Sequence, residues 1–450
     1  MKLGLQLGYW GAQPPQNHAE LVAAAEDAGF DTVFTAEAWG SDAYTPLAWW
    51  GSSTQRVRLG TSVIQLSART PTACAMAALT LDHLSGGRHI LGLGVSGPQV
   101  VEGWYGQRFP KPLARTREYI DIVRQVWARE SPVTSAGPHY RLPLTGEGTT
   151  GLGKALKPIT HPLRADIPIM LGAEGPKNVA LAAEICDGWL PIFYSPRMAG
   201  MYNEWLDEGF ARPGARRSRE DFEICATAQV VITDDRAAAF AGIKPFLALY
   251  MGGMGAEETN FHADVYRRMG YTQVVDEVTK LFRSGRKDEA AEIIPDELVD
   301  DAVIVGDIDH VRKQMAVWEA AGVTMMVVTA GSAEQVRDLA ALVRSILASG
   351  LERVLDWADG FAFLRFRSGD RRRRSFLRWP PTGTTEPASA GPAMPVLWRR
   401  DGLPTAVGRR RAGRAGPRLS FPRESRELRR HGGSRSSTFA TRGSAPAGRC

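Results

Sequence analysis

Short apolar runs alternate with segments of helical periodicity eight times along the first 350 residues. Continuous apolar runs of this length are typical of strands buried on both faces, and amphipathic segments between them are typical of helices that cover a parallel sheet. The pattern therefore predicts eight βα units. The predicted strands are Leu3 to Tyr9, Thr32 to Glu37, Arg58 to Leu66, His89 to Val95, Ile167 to Leu171, Gly188 to Phe193, Phe222 to Ile232 and Thr324 to Ala330.

Eight units of this kind predict a (β/α)8 TIM barrel over residues 1–347, an α/β fold that commonly takes about 250 residues. The surplus length lies in two predicted insertions. One covers about 131–164 after strand four and is rich in Gly, Thr and Pro; the other covers about 250–309 after strand seven and contains helical patterns. A doubly wound open sheet is the alternative that the same alternation permits.

Residues 348–450 have a different composition and predict a disordered, low-complexity tail. Residues 351–450 contain 22 Arg, no Lys and eight Asp or Glu, so they carry +14, whereas residues 1–350 carry −8. A segment with so little apolar periodicity cannot bury a core. A basic arm for nucleic acid is one interpretation. The absence of lysine favours a second interpretation, that the tail is non-native and is translated from a G+C-rich gene in a shifted frame. We therefore expect no nucleic-acid partner.

Cysteine spacing and hydropathy indicate the cellular compartment of the protein. Cys74, Cys186, Cys225 and Cys450 are far apart and form no C-x-x-C motif, so neither a disulfide framework nor a zinc site is indicated. The chain begins directly with an apparent strand, and it contains no run of about 18 apolar residues. These features predict a soluble cytoplasmic protein without a membrane partner or a metal.

Two predicted strands end in small residues followed by proline. One ends Val95-Ser96-Gly97-Pro98, and the other ends Gly172-Ala173-Glu174-Gly175-Pro176. Such turns let the backbone approach a ligand, and the helix that begins at each proline offers N–H groups to an anion. Each turn alone also fits an ordinary strand-to-helix connection. Together they favour one phosphate-bearing cofactor.

Several motifs in fixed order resemble the luciferase-like monooxygenase superfamily, in its branch that uses the deazaflavin coenzyme F420. The resemblance covers residues 1 to about 347. It is carried by Leu59-Gly60-Thr61-Ser62-Val63, by Leu79-Thr80-Leu81-Asp82-His83-Leu84-Ser85-Gly86-Gly87-Arg88, by the two strand ends and by Asp187-Gly188-Trp189. It implies a TIM barrel, an F420-dependent hydride transfer to or from a small organic substrate, and a homodimer.

The resemblance also implies the residues of the cofactor site. Ser62-Val63 would form a bulge with a non-prolyl cis peptide behind the cofactor ring. The predicted contacts to the phosphate tail and the ring are Val95, Ser96, Gly97, Gly172, Ala173, Glu174, Gly175, Pro176, Gly188 and Trp39, and Trp10 is expected beside the ring as well. Helices near strands two and three, with Trp49, Trp50 and Met76, would form the dimer contact.

Glu37 is the predicted catalytic residue, as a cofactor contact or a proton donor, because it ends strand two at the barrel rim. A salt bridge at the rim is the alternative role. Sugar-phosphate dehydrogenases of the superfamily have an Asp-His pair there, whereas this chain has Glu37-Ala38, which argues against that substrate. His139-Tyr140 is a further candidate for substrate contact, whereas His18, His83, His89 and His161 are expected to be structural.

Two other functions remain open at this point. An FMN-dependent monooxygenase would use the same scaffold and the same phosphate turns. A non-catalytic binding protein, or a nucleic-acid binder acting through the tail, would belong to another class. The net charge of −8 on residues 1–350 favours a small ligand over nucleic acid.

Overall fold

The structure, a computed structural model, describes residues 1–255 and 260–345. Its strands are β1 Lys2–Gly8, β2 Thr32–Thr35, β3 Arg58–Thr61, β4 Ile64–Gln65, β5 His89–Gly94, β6 Ser135–Ala136, β7 Arg141–Leu142, β8 Ile169–Gly172, β9 Gly188–Trp189, β10 Glu223–Ala228, β11 Val230–Ile232, β12 Ile304–Gly306 and β13 Met325–Val328.

The helices are α1 His18–Ala28, α2 Tyr44–Gly51, α3 Pro71–Leu84, α4 Pro98–Gly103, α5 Pro112–Ala128, α6 Pro176–Ile185, α7 Ala199–Phe210, α8 Arg236–Gly252, α9 Phe261–Arg268, α10 Thr272–Arg283, α11 Lys287–Glu292, α12 Asp296–Ala302 and α13 Ile308–Ala320. A 3-10 turn covers Pro196–Met198, and 333–345 is helical.

The barrel closes through parallel pairing of all its strands. The order is β3-β2-β1-β13-β10-β9-β8-β5, and β5 pairs with β3 to complete the circle. The first and last strands meet with Leu5 opposite Val328. The predicted (β/α)8 barrel is therefore confirmed, and an open sheet is excluded.

A layer of large side chains fills the barrel interior. It consists of Phe34, Ile90, Met170, Leu190, Cys225, Met325 and Val327, all buried, with Val63 packed against them. Gly4 and Gly60 border the ring of Phe34, where a Cβ at either position would collide with it. The outward-facing residues of the same strands pack beneath the helices in a second core. Both faces of each strand are buried, which explains the continuous apolar runs in the sequence.

Two predicted strands are interrupted in the structure. The third strand consists of β3 and β4, which are separated by Ser62-Val63. The predicted seventh strand, Phe222 to Ile232, is two strands, because only β10 belongs to the barrel. β11 leaves the barrel after Gln229 and pairs in parallel with β12, with Val230 opposite Ile304.

The two insertions differ in structure. The first contains the short antiparallel hairpin β6–β7 and little other regular structure. The second follows β11 and contains α8 to α12, which pack around an apolar cluster of their own together with Phe193 from the barrel. The described part of this insertion therefore has an apolar core of its own, to which the barrel also contributes.

No helix among the residues described is both long and apolar enough to cross a bilayer. The predicted tail, residues 348–450, lies outside the described residues.

Candidate active site

The Ser62–Val63 peptide bond is cis, as expected from the resemblance, and it lies between β3 and β4 at the carboxyl end of the barrel. Hydrogen bonds from β1 and from the end of β2 hold it in place. Ser62 N donates to Thr35 O at 2.7 Å, Glu37 N donates to Val63 O at 3.2 Å, and Gln6 Nε2 donates to Ser62 O at 3.1 Å. The bulge is thus fixed by β1 and by the end of β2.

Glycines on two strands make room for the side chain of this bulge. A Cβ at Gly94 would lie 2.6 Å from Val63 Cγ2, and a Cβ at Gly172 would lie 3.2 Å from Val63 Cγ1. Gly94 and Gly172 also face each other in the β5–β8 pairing. The structure therefore brings the predicted residues Ser62, Val63 and Gly172 together, and it adds Gly94.

The Glu37 carboxylate is buried and fully engaged. Oε1 accepts from Gln65 N at 2.9 Å, Oε2 accepts from Ala43 N at 3.3 Å, and Arg69 Nη1 donates to both oxygens at 3.0 and 2.9 Å. Because Glu37 N also donates to Val63 O, this residue connects the end of β2 to the bulge and to β4, which follows the bulge. Its contacts are those of a buried salt bridge that positions the bulge.

The turn after β5 carries Val95, Ser96 and Gly97. Ser96 has a positive φ of 60°, while Gly97 has an extended backbone at φ −106° and caps α4. A Cβ at Gly97 would meet the Gln99 side chain 2.6 Å away. Gln99 Nε2 in turn donates to Met254 O at 2.8 Å, which ties this turn to the second insertion.

The turn after β8 carries Ala173, Glu174 and Gly175, and Pro176 opens α6. Trp189 Nε1 donates to Ala173 O at 2.8 Å and fixes the first residue of the turn. Gly175 caps the helix at φ −108°, and a Cβ there would meet only Arg268 Nη2, 4.0 Å away. Glycine is therefore not required by backbone strain at Gly97 or Gly175, since any residue can adopt these angles. What Gly175 provides is open space beside the turn.

Two side chains from α9 reach the β8 turn, and neither was predicted from the sequence. His262 Nδ1 lies 2.7 Å from Glu174 Oε1, and Arg268 Nη1 donates to Glu174 O at 3.1 Å. The His262 ring also packs edge-on against Phe193 and Tyr250. A contact across about 90 residues of sequence has no local signature, so sequence periodicity cannot reveal it.

The Glu174–His262 pair makes stability depend on pH. Burial alone would lower the pKa of His262, but the adjacent Glu174 carboxylate overrides it and raises that pKa above 6.5. The stabilising contribution is therefore complete below pH 6.5 and is lost as pH rises through the raised pKa of the folded state. We expect the free energy of unfolding, measured by urea denaturation across this range, to fall less steeply with pH in His262→Gln. Identical pH slopes in the two proteins would contradict this.

The other predicted residues occupy more varied places. Trp39 follows Glu37 and its side chain is 52 % exposed, while Trp10 is half-buried after β1, 6.5 Å from Trp50 between ring centroids. Gly188 begins β9 and is buried where a Cβ would lie 2.7 Å from Glu223 O. It lies at the amino end of its strand, so the structure does not bring it to the two turns.

The histidines and the first insertion show mostly packing contacts. His89 is buried, and burial lowers its pKa to about 4 although Nδ1 lies 2.8 Å from Leu59 O. His83 contacts the backbone of His161, and His18 packs against Trp50. Tyr140 receives a hydrogen bond from Arg115 Nε at 2.8 Å. These contacts agree with structural roles.

Comparison with known proteins adds relatives of the same architecture. The family model described as luciferase-like monooxygenase matches residues 4–325. A 5,10-methylenetetrahydromethanopterin reductase from Archaeoglobus fulgidus is 29% identical over 331 residues, covering 73% of this chain and 92% of the relative. An F420-dependent glucose-6-phosphate dehydrogenase from Beutenbergia cavernae is 32% identical over 265 residues, covering 54% of this chain and 74% of the relative.

A solved structure agrees with the fold. The coenzyme F420 dependent tetrahydromethanopterin reductase from Methanopyrus kandleri superposes with a TM-score of 0.61 at 24% identity, covering 75% of this chain and 97% of that protein.

Proposed function

The chain belongs to the luciferase-like monooxygenase family, and on this premise we propose that it is an oxidoreductase that transfers a hydride between coenzyme F420 and a small organic substrate. Relatives named as F420-dependent support the cofactor. The observation that carries the proposal is the β8 turn, where the open side of Gly175, the start of α6 and the Arg268 guanidinium meet. A helix start and a cation suit an acidic cofactor tail.

The residues of the carboxyl end fit this cofactor. Ser62 and Val63 would lie behind its ring, and Val95, Ser96 and Gly97 together with Gly172, Ala173, Glu174, Gly175 and Pro176 would line its tail. Trp39 is assigned to the ring because it follows the end of β2. Gly188 remains a predicted contact, although it lies at the amino end of β9 and the two turns lie at the carboxyl ends of their strands.

Bound F420 supplies a hydride-carrying ring carbon, and the chain supplies position and a dry environment. The bulge at Ser62-Val63 offers a fixed surface for a planar ring, because three hydrogen bonds hold its backbone. Glu37 acts mainly by positioning, since both carboxylate oxygens are engaged. Its role as a proton donor stays a prediction.

Titration of the purified protein with F420 and with FMN tests the proposal. Quenching of the ligand fluorescence should give a tighter dissociation constant for F420. Tighter binding of FMN would instead support an FMN-dependent monooxygenase, the second candidate, whose phosphate the same turns would accept.

Gly175→Ala should weaken F420 binding about tenfold, equivalent to roughly 1.4 kcal/mol. The added methyl would occupy the open space beside the turn, while its nearest neighbour in the protein is 4.0 Å away. Folding should therefore be unchanged. Gly97→Ala should weaken binding to a similar extent, but it also displaces Gln99. Gly242→Ala in α8 is the matched control, since a Cβ there meets nothing. Wild-type affinity in both Gly175→Ala and Gly97→Ala would overturn these assignments.

The protein is expected to be a cytoplasmic homodimer that pairs through α2 and α3. Trp49 is 77% exposed on α2 and Met76 is 63% exposed on α3, and such apolar side chains are enriched at the centre of interfaces. Sedimentation should show a dimer at micromolar concentration, and Trp49→Ser should shift it toward the monomer. A wild-type protein that sediments only as a monomer would contradict this.

A further inference from the structure

The second insertion is fastened to both turns at the carboxyl end of the barrel. Gln99 from the β5 turn bonds to Met254 O, and Glu174 from the β8 turn bonds to His262 and Arg268 of α9. These contacts hold α9 beside Gly175. A ligand bound at that turn would therefore meet side chains of the insertion as well as the barrel backbone.

Arg268 faces the turn with part of its guanidinium free. Nη1 donates to Glu174 O, Nη2 points toward the Cβ position of Gly175, and the guanidinium lies 5.9 Å from the Trp205 ring centroid. Within the described ranges no carboxylate lies at salt-bridge distance from Arg268. Its neighbour Arg267, in contrast, is paired with Asp264 and Asp276. A fixed, half-buried guanidinium without an acidic partner is suited to an anionic ligand.

Buried polar atoms nearby also lack partners. The Tyr266 hydroxyl is completely buried, and neither it nor Glu174 Oε2 has a hydrogen-bond partner in the described part of the chain. The two residues lie in one cluster, because Tyr266 and His262, the partner of Glu174, both pack against the Phe193 ring. Polar groups without partners are costly in a protein interior. The Tyr266 hydroxyl can donate a hydrogen bond to an anionic ligand, whereas Glu174 Oε2 can only accept one, so of the two only the hydroxyl suits an acidic group.

We propose that Arg268 is a binding residue for the acidic tail of the cofactor, which it contacts beside Gly175. This inference rests on the proposed function, and it assigns to the insertion a part of the site that the barrel alone does not supply. The ligand chemistry is a phosphate or carboxylate group. Arg268 Nη2, 4.0 Å from the Cβ position of Gly175, donates to no group in the described part of the chain, and a planar guanidinium fork matches either group.

Binding of paired ligands tests the proposal. The first pair is F420 and 8-hydroxy-5-deazariboflavin, which lacks the phosphate and glutamate tail. The second pair is FMN and riboflavin, which differ by the phosphate alone. Arg268→Gln should weaken binding of the tailed member of the preferred pair at least tenfold and leave the tail-less member unchanged. Arg267→Gln, on the same helix with the same change of charge, should leave both within about twofold.

The outcomes separate the two proposals. If the wild-type protein prefers FMN, the F420 assignment is wrong, but the Arg268 contact can still be tested with FMN and riboflavin. If the protein binds none of the four ligands, both proposals are overturned. Equal losses in Arg268→Gln and Arg267→Gln, or an equal loss for tailed and tail-less ligands, overturn the Arg268 contact. If Arg268→Gln lowers the thermal midpoint, Arg268→Lys provides the comparison. It keeps the charge but loses the fork, and its loss should again be confined to the tailed ligand.

Discussion

Gly92→Ala is expected to prevent the barrel from folding, with a loss of more than about 4 kcal/mol in the free energy of unfolding. A Cβ at this position would overlap the backbone oxygen of Thr61 and would lie 2.9 Å from Leu190 Cδ1. The Thr61 backbone cannot move away easily, because Gly92 N donates to Thr61 Oγ1 at 2.8 Å and Thr61 Oγ1 donates to Gly92 O at 2.9 Å. The cost is comparable to the whole stability of many domains.

The measurement is the yield of soluble protein, its circular dichroism and its urea midpoint. Gly200→Ala is the matched control, because this exposed helical glycine in α7 has nothing within 4 Å of its Cβ position. It should be neutral or stabilising by up to about 1 kcal/mol. A Gly92→Ala protein with the wild-type midpoint would show that β3 and β5 are not packed as described.

Glu37→Gln should lower the free energy of unfolding by about 2–4 kcal/mol and weaken cofactor binding at the same time. Without the Glu37 carboxylate, Arg69 keeps the more exposed Asp42 as its remaining ion-pair partner among the described residues, and breaking a buried pair in this way typically costs several kcal/mol. Because Arg69 is partly exposed to solvent, we expect the loss in the free energy of unfolding to be smaller than for a fully buried pair. The NH2 group of the new Gln would also face the backbone N–H of Gln65 or Ala43, and two donors cannot form a hydrogen bond with each other. The bulge that Glu37 holds would therefore loosen.

Asp42→Asn is the matched control for this substitution. Asp42 is the other partner of Arg69, at 3.5 Å, and its side chain is 41% exposed. Its loss should cost less than about 1 kcal/mol, as for surface pairs. If Asp42→Asn destabilises as much as Glu37→Gln, the buried pair is not what holds the bulge. If Glu37→Gln binds cofactor normally but loses turnover, the catalytic role predicted for Glu37 gains support over positioning.

The sequence predicted the barrel because each of its strands is buried on both faces. Runs such as Ile169 to Leu171 and Met325 to Val328 lie between the inner layer and the helices, so they contain almost no polar residues. Helix starts were predictable for a similarly local reason. Thr70 precedes Pro71, and its hydroxyl accepts from Ala73 N at the start of α3.

Predictions that depended on distant partners were less accurate. The run from Phe222 to Ile232 is mostly apolar and contains no Gly or Pro, so its sequence predicts one strand. The division into β10 and β11 depends on a residue far along the chain, because Ile304 N donates to Gln229 O where β11 leaves the barrel. Similarly, His262 and Arg268 lie in an amphipathic helix like any other, and their relation to Glu174 depends on how the insertion packs on the barrel.

The backbone conformation at the two turns was also not predictable. Gly97 and Gly175 both have extended backbone angles, and the positive φ falls on Ser96 instead. A Gly-Pro pair signals a turn without stating which residue bears the unusual angle, since small residues on either side can adopt it.

The pairing of β11 with β12 brings the two ends of the second insertion into one small sheet. A segment whose entry and exit are neighbours can be lengthened, shortened or exchanged without altering the distance that the barrel must span. Related chains could thus acquire new substrate preferences by replacing residues 233–303 as a unit, while the bulge between β3 and β4 stays unchanged. For an engineer, Ile232 and Ile304 are natural junctions for grafting such a segment from one barrel to another.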